Sequence, residues 1–297
     1  MKSKEPILKK ETKELFWEII NCPCRENAAS ECEGIIAFQD AHAGWQVPEP
    51  WLGDLDSASV LIIGGNPAFK EEEIFPTRRA YNSEDWLGHC PNSQADWTET
   101  SVEEFFTKRL DGAKCGSCGQ SYVRSSEKNN LQVLCSSNGA CAYKRAGNDY
   151  WRVYGHYCEV LRTHDVISDT NIAITDSVHC KSGNMIGVNT RTRKQCSFLT
   201  KRVIESFAGN ASSKHVILLF GAGNARKRLC GVVDNWREES CSVGNYVTWG
   251  KNKNKQVKVA HCTVNGVPVI VYFNLLAPSG RTSRFCPVNF MGELIRW

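Results

Sequence analysis

No run of about 18 apolar residues occurs in this sequence of 297 residues, so a membrane-spanning helix is not expected. The opening stretch, MKSKEPILKKETKELFWEII, is charged and amphipathic and lacks the apolar centre of a secretory leader. Internal repeats and low-complexity tracts are also missing. Charge of one sign is scarce: the net value of +4 excludes an overall polycation, so any nucleic-acid contact must come from a local patch. The expected setting is cytoplasmic, without a membrane partner. That setting changes the meaning of the fifteen cysteines. In a reducing compartment they point to metal sites or buried thiols rather than to a disulfide framework.

What is present reads as an ordinary globular chain, 41% hydrophobic and 23% charged. Its length suits one large α/β domain with insertions or two smaller domains. Short β-rich apolar runs at Val60–Ile63, Ile172–Ile174, Val216–Phe220 and Val269–Phe273 each end in a glycine or polar turn. Near-continuous runs of this kind suit strands buried on both faces of a parallel sheet. Helical patterns at Tyr150–Arg162 and Lys194–Phe207 lie between them. The alternation predicts an open α/β layer fold whose ligands bind at the carboxyl ends of the strands. Asn265–Gly266, between TV and VPVIVYF, signals a hairpin, with Pro268 at a strand start where a missing N–H is tolerated. Basic residues cluster at Arg191, Arg193 and Lys194, at Arg226–Arg228, at Lys251, Lys253 and Lys255, and at Arg281 and Arg284.

Residues 111–145 break the rhythm. They are polar, rich in Gly and Ser, and hold Cys115-x2-Cys118, Cys135 and Cys141. This spacing predicts an inserted zinc-ribbon-like module, with zinc as cofactor, inside a domain formed by 1–110 and 146–297.

The first strand runs into Gly64-Gly65-Asn66-Pro67-Ala68-Phe69. Glycine permits close approach of a ligand to the backbone, and Asn-Pro enforces a turn. Alone, this is usually only a turn. It is followed in order by IAITDSVHCKSG with CSFLTKRVIESF, by HVILLFGAGNARKRL and by NLLAPSGRTSRF. Taken together over about two thirds of the chain, these segments resemble the uracil-DNA glycosylase superfamily, closest to its iron–sulfur-containing and mismatch-specific branches.

The resemblance implies a three-layer α/β sandwich around a mostly parallel four-stranded sheet. The implied enzyme is a monomeric, monofunctional DNA glycosylase that flips a base out of DNA and hydrolyses its N-glycosidic bond. Asn66 would hold the attacking water through its side-chain carbonyl, with Gly65 and Pro67 shaping the base site. Phe69 or Phe75 would stack on the extruded base. Core packing is the other reading of each ring and is the favoured one for Phe75. Ala277, Pro278, Ser279, Gly280 and Arg281 would form the DNA-insertion loop, Leu276 or Arg281 filling the gap left by the base, with Arg284 nearby. No lysine is placed for Schiff-base chemistry; Lys70 reads as surface. Lys181, Ser182, Asn184 and Arg191 are candidates for the DNA groove, and His179 reads as a satisfied histidine.

Two departures from the superfamily bear on the substrate. Asp176 stands where the motif has Asn. An ionised carboxylate only accepts hydrogen bonds, so it disfavours uracil O4 and favours an exocyclic amine. Capping, or a protonated carboxyl, is the alternative role. Ala277 replaces the usual His of the insertion loop, so stabilisation of the departing base must come from elsewhere, or the substrate must leave more easily. Together they favour a modified cytosine, such as a hydroxymethylated or glucosylated cytosine of viral DNA, in antiviral defence. The alternatives are uracil or mismatch repair, a catalytically inactive zinc-ribbon DNA-binding protein, and an enzyme acting on nucleosides or nucleotides. The resemblance also implies a 4Fe–4S cluster. Cys180 and Cys196 occupy the places of its later ligands, and Cys22 with Cys24 or Cys32 those of its first pair.

Overall fold

The protein is described from a computed structural model. Described are residues 7–22, 24, 31–42, 44–69, 71, 74–88, 90, 95–108, 161, 166, 171–221, 224–239 and 258–275, and the backbone of 123–124, 131–134 and 143–145. The chain divides into two compact units. One comprises Met1–Gly53, Asn66–Asn148 and Val178–Gln195; the other comprises Asp54–Gly65, Asp149–Ser177 and Cys196–Trp297.

The second unit holds the main sheet. Its strands are β2 (Val60–Gly64), β8 (Ile172–Asp176), β9 (His215–Phe220), β10 (Val233–Glu239), β11 (Lys258–Val264) and β12 (Val267–Leu275). Their order is β10-β11-β12-β9-β2-β8. Strands β12, β9, β2 and β8 run parallel, and these are the four apolar runs visible in the sequence. All six residues of β9 are buried, as a central parallel strand covered on both faces requires.

The sheet is larger than the four strands expected, because the hairpin belongs to it. Asn265 (φ 49°) and Gly266 (φ 82°) form the two-residue turn with both central φ angles positive, which matches the twist of the flanking strands. Pro268 pairs with Thr263 one residue before β12 meets β9 at Val269, so its missing N–H breaks no bond of the parallel ladder. Strand β10, VDNWREE, is polar and mostly exposed on the sheet edge, which is why apolar runs did not reveal it.

The first unit is built from short pieces. Helices α1 (Lys10–Ile20), α2 (Glu33–Asp40) and α3 (Glu99–Thr107) accompany a small antiparallel sheet of β1 (Trp45–Gln46), β3 (Thr77–Arg78) and β4 (Trp86–Leu87). Their core is aromatic: Phe16 meets Trp51 and Phe106 edge-on at 5.5 and 5.7 Å. Reciprocal bonds between Thr98 and Ser101 cap α3. Within residues 111–145, β5 (Val123–Arg124), β6 (Leu131–Leu134) and β7 (Tyr143–Arg145) pair antiparallel. Cys115, Cys118, Cys135 and Cys141 lie outside the described residues. So does the expected helix Tyr150–Arg162, except Leu161, which is buried.

The second expected helix is α4 (Thr190–Ala208), which starts four residues before Lys194. The Asn189 side chain caps it, accepting from the backbone N–H groups of Arg191 and Thr192 at 2.8 and 3.0 Å. Leu199, Val203 and Phe207 are buried, whereas Phe198 is exposed. No helix among the described residues is long and apolar enough to cross a membrane.

Candidate functional site

In the first unit the chain turns at Asn66-Pro67 and lies alongside residues 180–183. Ala68 bridges Ser182 in parallel. The Ser182 N–H donates to the Pro67 carbonyl and the Phe69 N–H to the Ser182 carbonyl, both at 3.2 Å. Asn66 is half-buried against this seam. Its amide nitrogen donates to the Cys180 carbonyl at 2.9 Å and to Ser182 Oγ at 3.3 Å. A carbonyl can only accept, so the atom facing Cys180 must be the NH2 group. The amide is thereby held in one orientation, and its carbonyl oxygen has no partner among the described residues.

Beside this turn Phe69 meets Phe38 edge-on at 5.2 Å and lies 4.5 Å from the ring of His42. Gly183 lies close by: a Cβ there would press on the edge of Phe38 at 3.0 Å. His42 Nδ1 lies 2.7 Å from the Phe38 carbonyl and therefore carries the hydrogen. Its Nε2 has no partner among the described residues. Phe38, His42 and Phe69 are all half-exposed. Phe75 differs. It is 2% exposed, packs edge-on against Phe105 and Phe106, and carries Lys181 Nζ 3.7 Å above its ring. Phe75 belongs to the core.

The segment alongside the turn is equally fixed. Lys181 is buried and lies 3.8 Å from Glu49. His179 is buried with Nδ1 bonded to the Glu49 carbonyl at 2.9 Å. Burial pushes its pKa down to about 4, against the opposing pull of the Glu49 and Pro50 carbonyls. His179 is therefore a neutral structural residue, as its sequence context suggested.

In the second unit Gly64 and Asp176 are paired at the carboxyl ends of β2 and β8. A Cβ on Gly64 would collide with the Asp176 carboxylate, so only glycine lets that group lie across the strand end. The Gly64 carbonyl accepts from Ser177 Oγ at 3.0 Å and from Arg228 Nη2 at 3.4 Å. Arg228 also donates to the Gly221 carbonyl at 3.1 Å, tying together the ends of β2 and β9. Next to Gly65, where a Cβ would stand, there is open space.

The described cysteines are thiols. In the first unit the Cys22 thiol is hydrogen-bonded with Cys180 and with Cys24, which together with burial pushes its pKa well above the ordinary thiol range. Cys32 is buried at the N-cap of α2. In the second unit Cys196 is buried, and burial, reinforced by the neighbouring Cys196, pushes the Cys230 thiol up to about 11. No group of three or more His, Cys, Asp or Glu side chains among the described residues has the arrangement of a formed metal site.

The structure thus gathers Asn66, Pro67, Phe69, Cys180 and Ser182 in one unit, and Gly64, Gly65 and Asp176 in the other. Leu276, Ala277, Pro278, Ser279, Gly280, Arg281 and Arg284 lie outside the described residues. Phe38, His42 and Arg228 had not been singled out for these contacts. Phe38 and His42 are four residues apart, the spacing of neighbours on a helix face, which was the available signal. Arg228 gave none beyond belonging to a basic cluster. Comparison of the chain with protein-family models, curated proteins and solved structures gives no match.

Proposed function

We propose that this protein is a monofunctional DNA glycosylase that releases a modified cytosine by hydrolysis. The observation that carries this reading is the amide of Asn66, with its nitrogen committed to Cys180 and Ser182 and its oxygen left to accept. Such an oxygen holds a water without deprotonating it strongly. The C1′–N bond breaks with its electron pair leaving on the base. The oriented water then adds to the oxocarbenium-like sugar and gives up a proton to solvent. Holding the water in place lowers the barrier mainly through orientation.

Phe69, half-exposed beside His42, is the ring proposed to stack on the base. Asp176, acceptor-only when ionised, is proposed to favour an exocyclic amine over a carbonyl. An unpaired buried polar group costs about 1–3 kcal/mol, enough to shift base choice. In this reading the fold is a three-layer sandwich like that of uracil-DNA glycosylases. The protein acts on DNA as a cytoplasmic monomer, and the Leu276–Arg281 segment enters the DNA.

Cys22, Cys24 and Cys180 would give an iron–sulfur cluster three thiolates. The hydrogen bonds that Cys22 makes with Cys180 and with Cys24 are what support this assignment. A cluster there would supply structural cross-linking, since hydrolysis needs no electron transfer. Zinc at Cys115, Cys118, Cys135 and Cys141 would do the same for the insertion.

One assay tests the proposal. DNAs carrying uracil, a thymine mismatch, hypoxanthine or modified cytosines are incubated with the protein and examined for alkali-labile abasic sites. Release of a modified cytosine is expected, and Asn66→Ala should slow it about 100-fold, with the fold retained and only a modest fall in melting temperature from its two lost hydrogen bonds. Faster release of uracil than of any cytosine derivative would overturn the substrate assignment. No release from any DNA would overturn the glycosylase itself.

A further inference from the structure

The loop from Gly183 to Asn189, all within the first unit, keeps two large apolar side chains in water. Met185 is 43% exposed and Ile186 50% exposed. The backbone beneath them is strained. Asn184 (φ 49°) and Met185 (φ 62°) are successive non-glycine residues in the left-handed region, which a bulky side chain rarely enters.

The loop is nevertheless firmly held. The Ile186 N–H donates to the Gly183 carbonyl at 2.9 Å and the Val188 N–H to the Met185 carbonyl at 3.0 Å. Thr192 Oγ1 donates to the carbonyls of Glu31 and Gly187 at 2.9 and 3.1 Å. At Gly187 (φ 75°) a Cβ would strike the backbone of Gly34 and Ile35, so the base of the loop is clamped to the start of α2. Strain of this kind persists only where surrounding contacts over-determine it, and it gathers at ligand clamps. Burial does not account for it here, since residues 184–186 are all exposed.

Cations follow the tip closely in the chain. Arg191, Arg193 and Lys194 are exposed on the first turns of α4. Arg191, with 81% of its side chain exposed, lies 3.9 Å from Glu31, a surface pair too weak to withhold it from a stronger anion. Exposed apolar side chains on a firmly held turn, followed within nine residues by three exposed cations, suit a duplex nucleic acid: the cations take phosphates while the tip enters the base stack.

We propose that Met185 and Ile186 form a wedge that inserts between base pairs of duplex DNA, additional to the Leu276–Arg281 segment. This rests on the reading of the protein as a DNA glycosylase and names a second contact with its substrate.

The test uses the full-length protein and a duplex with 2-aminopurine beside the target base, whose fluorescence rises when neighbouring bases unstack. Wild-type protein should raise the fluorescence on binding. Met185→Ser with Ile186→Ser should abolish most of that rise and weaken duplex binding about tenfold. Binding to the single-stranded oligonucleotide should be unchanged by anisotropy. If the double variant fails to fold, Ile186→Ser alone carries the test, because Ile186 has an ordinary backbone (φ −58°). Equal fluorescence and equal duplex affinity in wild type and variant, with base release intact, would overturn the wedge alone; a tip serving a protein partner would give that result. Absence of binding to either DNA by the wild type would overturn the glycosylase reading and the wedge with it.

Discussion

The two compact units solve the same problem, burying a chain of ordinary composition, by different means. The second buries apolar side chains in bulk. Val60, Leu61, Ile62 and Ile63 on β2, and Val216, Ile217 and Leu218 on β9, leave almost no surface exposed. The first relies on aromatic edges and on polar side chains that complete backbone hydrogen bonds, as Gln39 does for the Lys181 carbonyl at 2.7 Å and the Gln46 N–H at 2.8 Å. A sheet saturated with backbone bonds needs only volume to be filled. Short helices and loops leave donors and acceptors that side chains must satisfy. The loops that present Asn66 and Met185 are of the second kind, which leaves their backbones open to unusual conformations.

Three measurements sharpen or break that contrast. The largest effect is expected in the sheet. Ile62→Ala removes a fully buried side chain from a central strand and should cost about 2–5 kcal/mol, read as a shift in denaturant midpoint at constant slope. A cost below about 1 kcal/mol would show that the sheet does not depend on its packed volume.

Next comes the polar seam of the first unit. The His179 pKa falls from 6.5 to about 4 on folding, so between these pH values the unfolded chain binds a proton that the folded chain refuses. The stabilisation present above pH 6.5 is therefore lost as pH falls toward 4, by up to about 3 kcal/mol. His179→Gln should flatten the pH dependence of stability in this window relative to wild type. Identical profiles would remove the buried neutral histidine from the account.

The smallest effect is expected at the hairpin. Gly266→Ala forces a Cβ onto a residue at φ 82° with open space around it, so the cost is conformational alone, about 1 kcal/mol. A much larger loss, measured by thermal unfolding, would show that the turn has a packing role hidden from the static structure.

Apolar runs marked the four parallel strands because a strand covered on both faces can hardly be anything but apolar. The Asn265–Gly266 turn was legible for an equally local reason: few residue pairs accept two positive φ angles. Strand β10 was not legible, since an exposed edge strand need not be apolar. At the site, Asn66 and Phe69 stood out by their place after β2, and Phe75 lay close by with nothing local to separate a site ring from a core ring. Its partners Phe105 and Phe106 lie 30 residues further along the chain. Phe38 and His42 went unnoticed because the Phe69 ring they meet is supplied by a different element.

The sequence by itself determined the parallel strands, the hairpin turn and the helix that follows Asn189, because each depends on neighbours within a few residues. Only the tertiary structure decided which way the Asn66 amide points, which phenylalanine keeps an exposed face, and which cysteines of the first unit hydrogen-bond with Cys22. Each of those depends on a residue at least thirty positions away: Cys180 for Asn66, Phe105 and Phe106 for Phe75, Cys180 for Cys22. Hydrogen-bond direction and ring burial are properties of such distant pairs, and no local pattern encodes them.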